Sequence, residues 1–444
     1  MPLPPPLFNP LTSPEPLTQL EILAGPLGLL AFLLLVPLVR LARRSAPHVA
    51  LIAGGVAWVV LTAGPLSAAV LAVGVGAGVL WIAAVAAMRR RGTISHSGGV
   101  AAVWLGLTAL IFPLWWWPQW PWFGWQSVRM PPLHNLGFAY FYLRLIAWGV
   151  DWSREPTRAL DPLRSVCWLA YPPIMRLGPI VPREVFFERL AAWRSGEPIA
   201  WREVGKRFGW LIVGGVFLVM VANNTPKPFA DRADYFAAPE LYSTKVLWRA
   251  VYFIPIQIYL ILWVYNELAA VVGLLVGIRV DNNFDCLPAA TSVRDFWRRW
   301  HITVGAWLRT YIYIPLGGNR SPAWVTYTAV FGFCGVWHGA SWSFLVWGLS
   351  QAVALVAQKW WDNFWLWASP AGRANAIQNP KSKIQNSHAG GGGVAPSRTP
   401  ALLAWTGVCW LLTMHYQIVT IFMFADFEHF GTRVLRELWI RMWA

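Results

Sequence analysis

Two histidines, His301 and His338, stand where long apolar runs give way to Arg, Trp and Tyr. The first lies within Ser292–Arg320, SVRDFWRRWHITVGAWLRTYIYIPLGGNR, and the second within Val336–Gly339, VWHG. A neutral imidazole can take a proton from a hydroxyl as that oxygen attacks an acyl carbonyl, and can return it to a leaving thiolate. Taken alone, His338 reads better as a structural histidine than as a catalytic one. A second histidine upstream, beside the turn-forming Pro315-Leu316-Gly317-Gly318, moves the balance towards a reaction centre. Two histidines are too few for a metal site. Glu267 could supply a third ligand, but its spacing gives no support, and no metal is expected. No Gly-x-Ser-x-Gly or activated cysteine arrangement occurs, which disfavours a covalent acyl-enzyme. The other ionisable residues inside apolar spans are Arg144, Arg176, Glu267 and His415, each with hydrogen-bonded structure as its bland alternative.

The elements that must hold these side chains come next. Read as one helix, the first stretch puts Trp297, His301, Val304 and Leu308 on an apolar face and Arg294, Asp295, Arg298, Arg299 and Arg309 on the other. Asp295 is placed to pair with Arg298 and Arg299. Such a helix would lie along the membrane surface or dip into it, ending where Pro315 and the glycine pair let the chain turn. Gly335 and Gly339 flank His338 and allow close backbone approach or a helix break.

Composition sets the surroundings. Of 444 residues, 57% are hydrophobic and 13% charged, with 32 Trp, and the mean hydropathy is +0.45. These values exclude an ordinary soluble domain and imply an all-α polytopic integral membrane protein. The tryptophans cluster at the ends of apolar runs, as at Trp115–Trp117, where indoles favour the bilayer interface. The net charge of +16 fits basic cytoplasmic loops. Nucleic-acid binding is excluded because no basic patch sits on a soluble fold. Cys167, Cys286, Cys334 and Cys409 are scattered singly, so neither a zinc site nor a disulfide framework is expected. The proline-rich start lacks the basic region of a cleavable signal peptide.

About ten spans are expected at roughly 20 apolar residues each: Leu20–Leu41, Val49–Gly64, Leu66–Met88, Val100–Trp117, Leu133–Val150, Phe208–Ala222, Val246–Tyr265 with a continuation towards Ile278, Trp324–Val336, Trp342–Lys359 and Ala401–Phe424. Arg40, Arg43 and Arg44 after the first span, and Arg89–Arg91 after the third, place those loops in the cytoplasm. Alternation then puts 151–207 and 279–320 on the same side. The tail with Arg433, Arg436 and Arg441 falls outside unless it forms an interfacial amphipathic end. Tyr171–Pro182, YPPIMRLGPIVP, is too short and proline-rich to span and suits a re-entrant segment buried in protein. Residues 368–400, with a repeated Ile-Gln-Asn and Gly390–Gly393, read as a disordered linker. The organisation is therefore 1–130 amino-terminal spans, 131–367 catalytic core, 368–400 linker, and 401–444 a last span and interfacial tail.

DFWRRWHITVGAWLRTYIYIPLGGNR followed by GVWHGASWSFLVWGLSQA resembles the core of the membrane-bound O-acyltransferase family, in its bacterial branch of alginate O-acetyltransferases and D-alanyl transfer proteins. The likeness is specific from Asn282 to about Ala352, fainter over LGPIVP, and absent over the first 130 residues. It departs from the family pattern at Thr310, where related sequences carry Asp, and at Glu267, which replaces the Asp of an upstream Ser-Gly-Tyr-Ser-Asp. Asp285-Cys286-Leu287 stands in place of Asn-Arg-Pro, and the tail lacks an Arg after Phe-Met-Phe. The resemblance implies helices around a central tunnel in which a cytoplasmic acyl thioester, acyl-CoA or a phosphopantetheine carrier protein, meets an extracytoplasmic hydroxyl. It implies His338 as general base, and His301 orienting the acceptor or polarising the thioester. It further implies Trp300, Trp337 and Tyr313 as tunnel walls, and Arg298, Arg299 and Arg309 as donor-binding cations, with packing aromatics and headgroup anchors as the respective alternatives. The implied setting is the inner membrane, with an acyl-carrier protein, an extracytoplasmic acyltransferase and an acceptor polysaccharide as partners. The competing class, a transporter with a proton-relay histidine, would need repeat symmetry that the sequence lacks.

Overall fold

A computed structural model describes residues 29–30, 32–116, 138–155, 161–175, 177–226, 236, 238–338, 342–368, 400–425 and 432–443. Among them all regular structure is helical. By compactness the chain divides into two units, 1–283 with 437–444, and 284–436. The division falls inside the stretch read from sequence as one catalytic core.

The first unit holds α1 (Val36–Leu41), α2 (Pro47–Arg90), α3 (His96–Trp116), α4 (Phe138–Arg154), α5 (Pro162–Leu169), α6 (Arg183–Ser195), α7 (Trp201–Asn224) and α8 (Thr244–Val276). Two expected spans, Val49–Gly64 and Leu66–Met88, are one helix. Pro65 lies inside α2 without ending it, because surrounding helical turns and neighbours can absorb one lost backbone bond. The continuation of the sixth span is also real: α8 runs 33 residues through Pro255. It stops where Gly277 takes φ 102°, a conformation open to glycine without steric cost. The terminal carbonyls of Leu275 and Val276 accept from Arg40 Nη1 at 3.1 and 2.9 Å, so the helix end is satisfied.

α4 is buried without interruption from Ala139 to Val150, which is why its sequence is apolar all round. Arg144, the cation within that buried stretch, is fully buried. Nε donates to the Tyr140 carbonyl at 3.3 Å and Nη1 to that of Trp168 at 3.2 Å, and the guanidinium lies 4.7 Å from the Phe141 ring centre. The proline-rich segment after α5 is buried and irregular, as its composition requires. Tyr171 Oη donates to the Ile278 carbonyl at 2.9 Å and Trp168 Nε1 to that of Val181 at 3.0 Å. α7 presents Phe208, Ile212, Val216 and Met220 outward, the surface expected of a helix in lipid.

The second unit holds α9 (Val293–Arg299), α10 (Ile302–Leu308), a π-helical turn (Arg309–Tyr313), α11 (Ala323–His338), α12 (Trp342–Ala368) and α13 (Pro400–Ala425). α14 (Thr432–Trp443) is the expected amphipathic tail, burying Val434 and Leu438 while Trp439 and Trp443 stay exposed. Within the first unit, Arg441 Nη1 donates to the Tyr242 carbonyl at 2.7 Å. Four described stretches are long and apolar enough to cross a membrane: Ala68–Arg90, Trp201–Asn224, Thr244–Val276 and Ala404–Met423. Residues 20–28 and 31 of the expected Leu20–Leu41 span lie outside the described residues. So do the linker at 369–399, Trp117, Trp120, Trp122, Trp125, Arg176 and Gly339.

Candidate active site

The expectation of one helix through Ser292–Arg309 needs correction. Ser292 caps α9, its Oγ accepting from the Asp295 N–H at 3.1 Å, but the helix ends at Arg299 and a new one begins at Ile302. Between them His301 adopts φ 45°, ψ 51°, the one non-glycine residue in the left-handed region among those described. That conformation costs an L-residue about 1–2 kcal/mol and persists where surroundings over-determine it, a pattern concentrated at functional sites. Helical periodicity could not reveal it, since Trp297 and His301 do fall on one face of an unbroken helix. The break aims them differently. Trp297 packs against Phe331 and Trp347, with ring centres 4.8 and 5.9 Å apart. His301 instead meets Phe284 at 5.0 Å and Trp300 at 5.2 Å, edge to face.

His338 is the last residue of α11. Its ring lies 4.7 Å from Trp337, 6.0 Å from Phe344 and 5.3 Å from Trp347, the last at 87°. α11 and α12 approach closely because Gly335 and Gly348 lack side chains. A methyl at Gly335 would collide with the Phe344 carbonyl, and one at Gly348 with that of Phe331. Small residues at a helix crossing allow this backbone contact in membranes. His301 and His338 lie within electrostatic reach of one another, and each is partly buried. A path of ring contacts links them: His301, Trp300, Phe296, Trp297, Trp347, His338.

That path is anchored by a polar network absent from the sequence reading. Trp297 Nε1 and Gln417 Nε2 both donate to Gln351 Oε1 at 3.2 Å, and Gln351 Nε2 donates to Thr420 Oγ1 at 3.0 Å. Gln351, Gln417 and Thr420 are all buried. Their signal was present as amides and a hydroxyl inside apolar spans, but a search for ionisable groups passes over them.

The remaining expected residues are placed as follows. Trp300 and Trp337 are buried beside the two histidines. Tyr313 stacks on Tyr327 at 5.9 Å and donates to Asn319 Oδ1 at 2.6 Å, fastening the glycine turn. Thr310 Oγ1 donates back to the Ala306 carbonyl at 2.9 Å. Arg299 is neutralised by Asp295 at 3.0 Å and Asp285 at 3.4 Å, whereas Arg298 and Arg309 are exposed. The expected Asp295–Arg298 pair is not formed; Arg299 takes the carboxylate instead. Glu267 belongs to the first unit. There both its oxygens accept from Arg207 Nη1, at 3.1 and 3.2 Å, and that nitrogen also donates to Asn282 Oδ1 at 2.8 Å. Its geometry is that of a structural ion pair between α7 and α8. Among the described residues no group of three His, Cys, Asp or Glu could hold a metal ion.

Comparison with known proteins gives a consistent picture. Residues 126–379, more than half of the chain, match the model described as "MBOAT, membrane-bound O-acyltransferase family". A peptidoglycan O-acetyltransferase of Helicobacter pylori is 32% identical over 192 residues, 42% of this chain and 36% of that protein. A probable alginate O-acetylase AlgI of Pseudomonas fluorescens is 36% identical over 228 residues, 50% of this chain and 44% of that protein. A teichoic acid D-alanyltransferase of Bacillus subtilis is 24% identical over 301 residues, 61% of this chain and 71% of that protein. The chain thus spans well under half the length of the peptidoglycan and alginate relatives.

Proposed function

The chain belongs to the membrane-bound O-acyltransferase family, and from that premise we propose that it transfers an acyl group, acetyl in the first instance, to a hydroxyl of a cell-envelope glycan. The donor is a cytoplasmic thioester, acyl-CoA or an acylated phosphopantetheine carrier protein, and the acceptor lies on the opposite side of the membrane. The relatives named for peptidoglycan, alginate and teichoic acid acylation support an envelope polymer as acceptor.

The observation that carries this reading is the pair of partly buried imidazoles, His301 and His338, within electrostatic reach of one another in an aromatic surround. A neutral imidazole keeps one nitrogen to accept a proton and one to donate. His338 takes the acceptor hydroxyl's proton as the oxygen attacks the thioester carbonyl. The tetrahedral intermediate collapses, the carbon–sulfur bond breaks, and the proton leaves with the thiolate. His301 donates to the carbonyl oxygen or orients the acceptor. Exposed Arg298 and Arg309 offer guanidinium groups to the donor's phosphate. About ten spans around a tunnel, in the inner membrane, would let the two substrates meet at these rings.

The test compares envelope O-acyl content in a deletion strain carrying wild type or His338→Ala. Loss of a general base lowers rates by about 100-fold to 10,000-fold, so the variant is expected to accumulate normally and leave the envelope essentially unacylated. Full restoration by His338→Ala would remove that residue from the mechanism.

A further inference from the structure

In the first unit, away from either histidine in sequence, three arginines converge. Arg44 and Arg194 line an open pocket of about 390 Å³ with Ala191 and Ser195. Arg43 Nη2 and Arg44 Nη2 lie 3.3 and 3.9 Å from the point where a side chain at Gly196 would begin. Asp161 is paired with Arg164 at 3.7 Å and Glu184 with Arg183 at 3.4 Å, and the exposed Glu197 pairs with none of the three arginines. Among the described residues, none forms an ion pair with Arg43, Arg44 or Arg194. Three guanidinium groups gathered without an ion-pair partner among the described residues favour a phosphate, whose oxygens match their paired donors.

The second observation lies just along the chain. The first turns of α2 and Leu163 enclose an apolar groove of about 550 Å³, lined by Val49, Ile52, Val56 and Val60 with two alanines between them. Val49, Val56 and Leu163 are each more than half exposed, at 59%, 51% and 53%. His48, between pocket and groove in sequence, feels the charges of both Arg164 and Arg194, so the basic and apolar sites share one end of α2. From Val49 to Val60 the helix rises about 16 Å at 1.5 Å per residue, close to half of a hydrocarbon core of about 30 Å.

We propose that this face holds a phospholipid with an anionic headgroup, its phosphate among Arg43, Arg44 and Arg194 and one acyl chain along Val49–Val60. Positive charge with an adjoining groove one leaflet long selects a lipid over a free phosphate, which would leave the groove unused. The basic loop places it in the cytoplasmic leaflet, where anionic lipids attract such residues. The proposal is independent of acyl transfer.

The test releases the full-length protein from nanodiscs of equimolar phosphatidylglycerol and phosphatidylcholine and weighs what stays bound by native mass spectrometry. Wild type is expected to retain one phosphatidylglycerol in preference to phosphatidylcholine. Arg44→Gln and Arg194→Gln should each lower that preference about fivefold. Val56→Trp, which fills the groove, should strip lipid of both kinds. Equal retention of the two lipids by wild type, or a preference untouched in the double arginine variant, would overturn the assignment. So would displacement of the lipid by inorganic phosphate alone. Arg44 and Arg194 are exposed, so their variants decide the matter even where Val56→Trp fails to fold.

Discussion

At the scale of one residue, His301 joins an unusual backbone conformation to the proposed chemistry. Its left-handed conformation turns the imidazole away from the face shared by Trp297 and towards Phe284 and Trp300. Glycine accepts this backbone freely while alanine does not, so His301→Gly should be more stable than His301→Ala by about 1–2 kcal/mol, read by thermal unfolding in detergent. Both should lose acyl transfer, because neither supplies a ring nitrogen. A His301→Ala protein as stable as the glycine variant would mean the backbone is unstrained there. Glu267 gives the opposite lesson. Its burial in an apolar helix marks it from sequence as functional, yet Arg207 accounts for it. Arg207→Leu strands a buried carboxylate and should cost about 3–5 kcal/mol, whereas the double variant with Glu267→Leu should recover most of that loss.

At the scale of elements, α11 and α12 form the support of His338. Their glycine contacts bring backbone against backbone, so Gly335→Ala forces an extra methyl into a filled space and should destabilise by about 1–3 kcal/mol. Because the clash is with the Phe344 carbonyl, and Phe344 stacks on His338, the same change should lower acyl transfer at equal protein level. Unchanged activity would separate the helix crossing from the site. The Gln351 network acts on the other side of the same ring. Membrane hydrogen bonds of this kind average only about 0.6 kcal/mol, so its importance lies in fixing Trp297 and, through Trp347, the orientation of His338.

For the whole molecule the property to test is sidedness. Cys286 is exposed while Cys167 and Cys334 are buried, and it lies in the stretch read as cytoplasmic from the arginine clusters. In a Cys409→Ser background, a membrane-impermeant maleimide should label inverted vesicles and spare intact cells. Labelling of intact cells would reverse the topology and with it the side from which the thioester arrives. The helical class, the long apolar stretches and the buried irregular segment at 171–182 were all legible beforehand, since lipid admits helices and buries other backbone only inside protein. The merging of two expected spans through Pro65 was not, because a proline signals a boundary locally while the neighbouring turns decide whether the helix continues.

Sequence alone determined the chemistry on offer: which residues can carry a proton, that long apolar stretches surround them, and which loops between those stretches are basic. These follow from residue type and composition, which act locally along the chain. The tertiary structure decided which of those residues come together. It set His301 at a break that periodicity smooths over, brought His338 within its field through a glycine-lined helix crossing, assigned Glu267 to a structural ion pair, and recruited Gln351, Gln417 and Thr420 from distant spans. Such pairings depend on contacts between residues far apart in the chain, and no local pattern encodes where a turn aims a side chain.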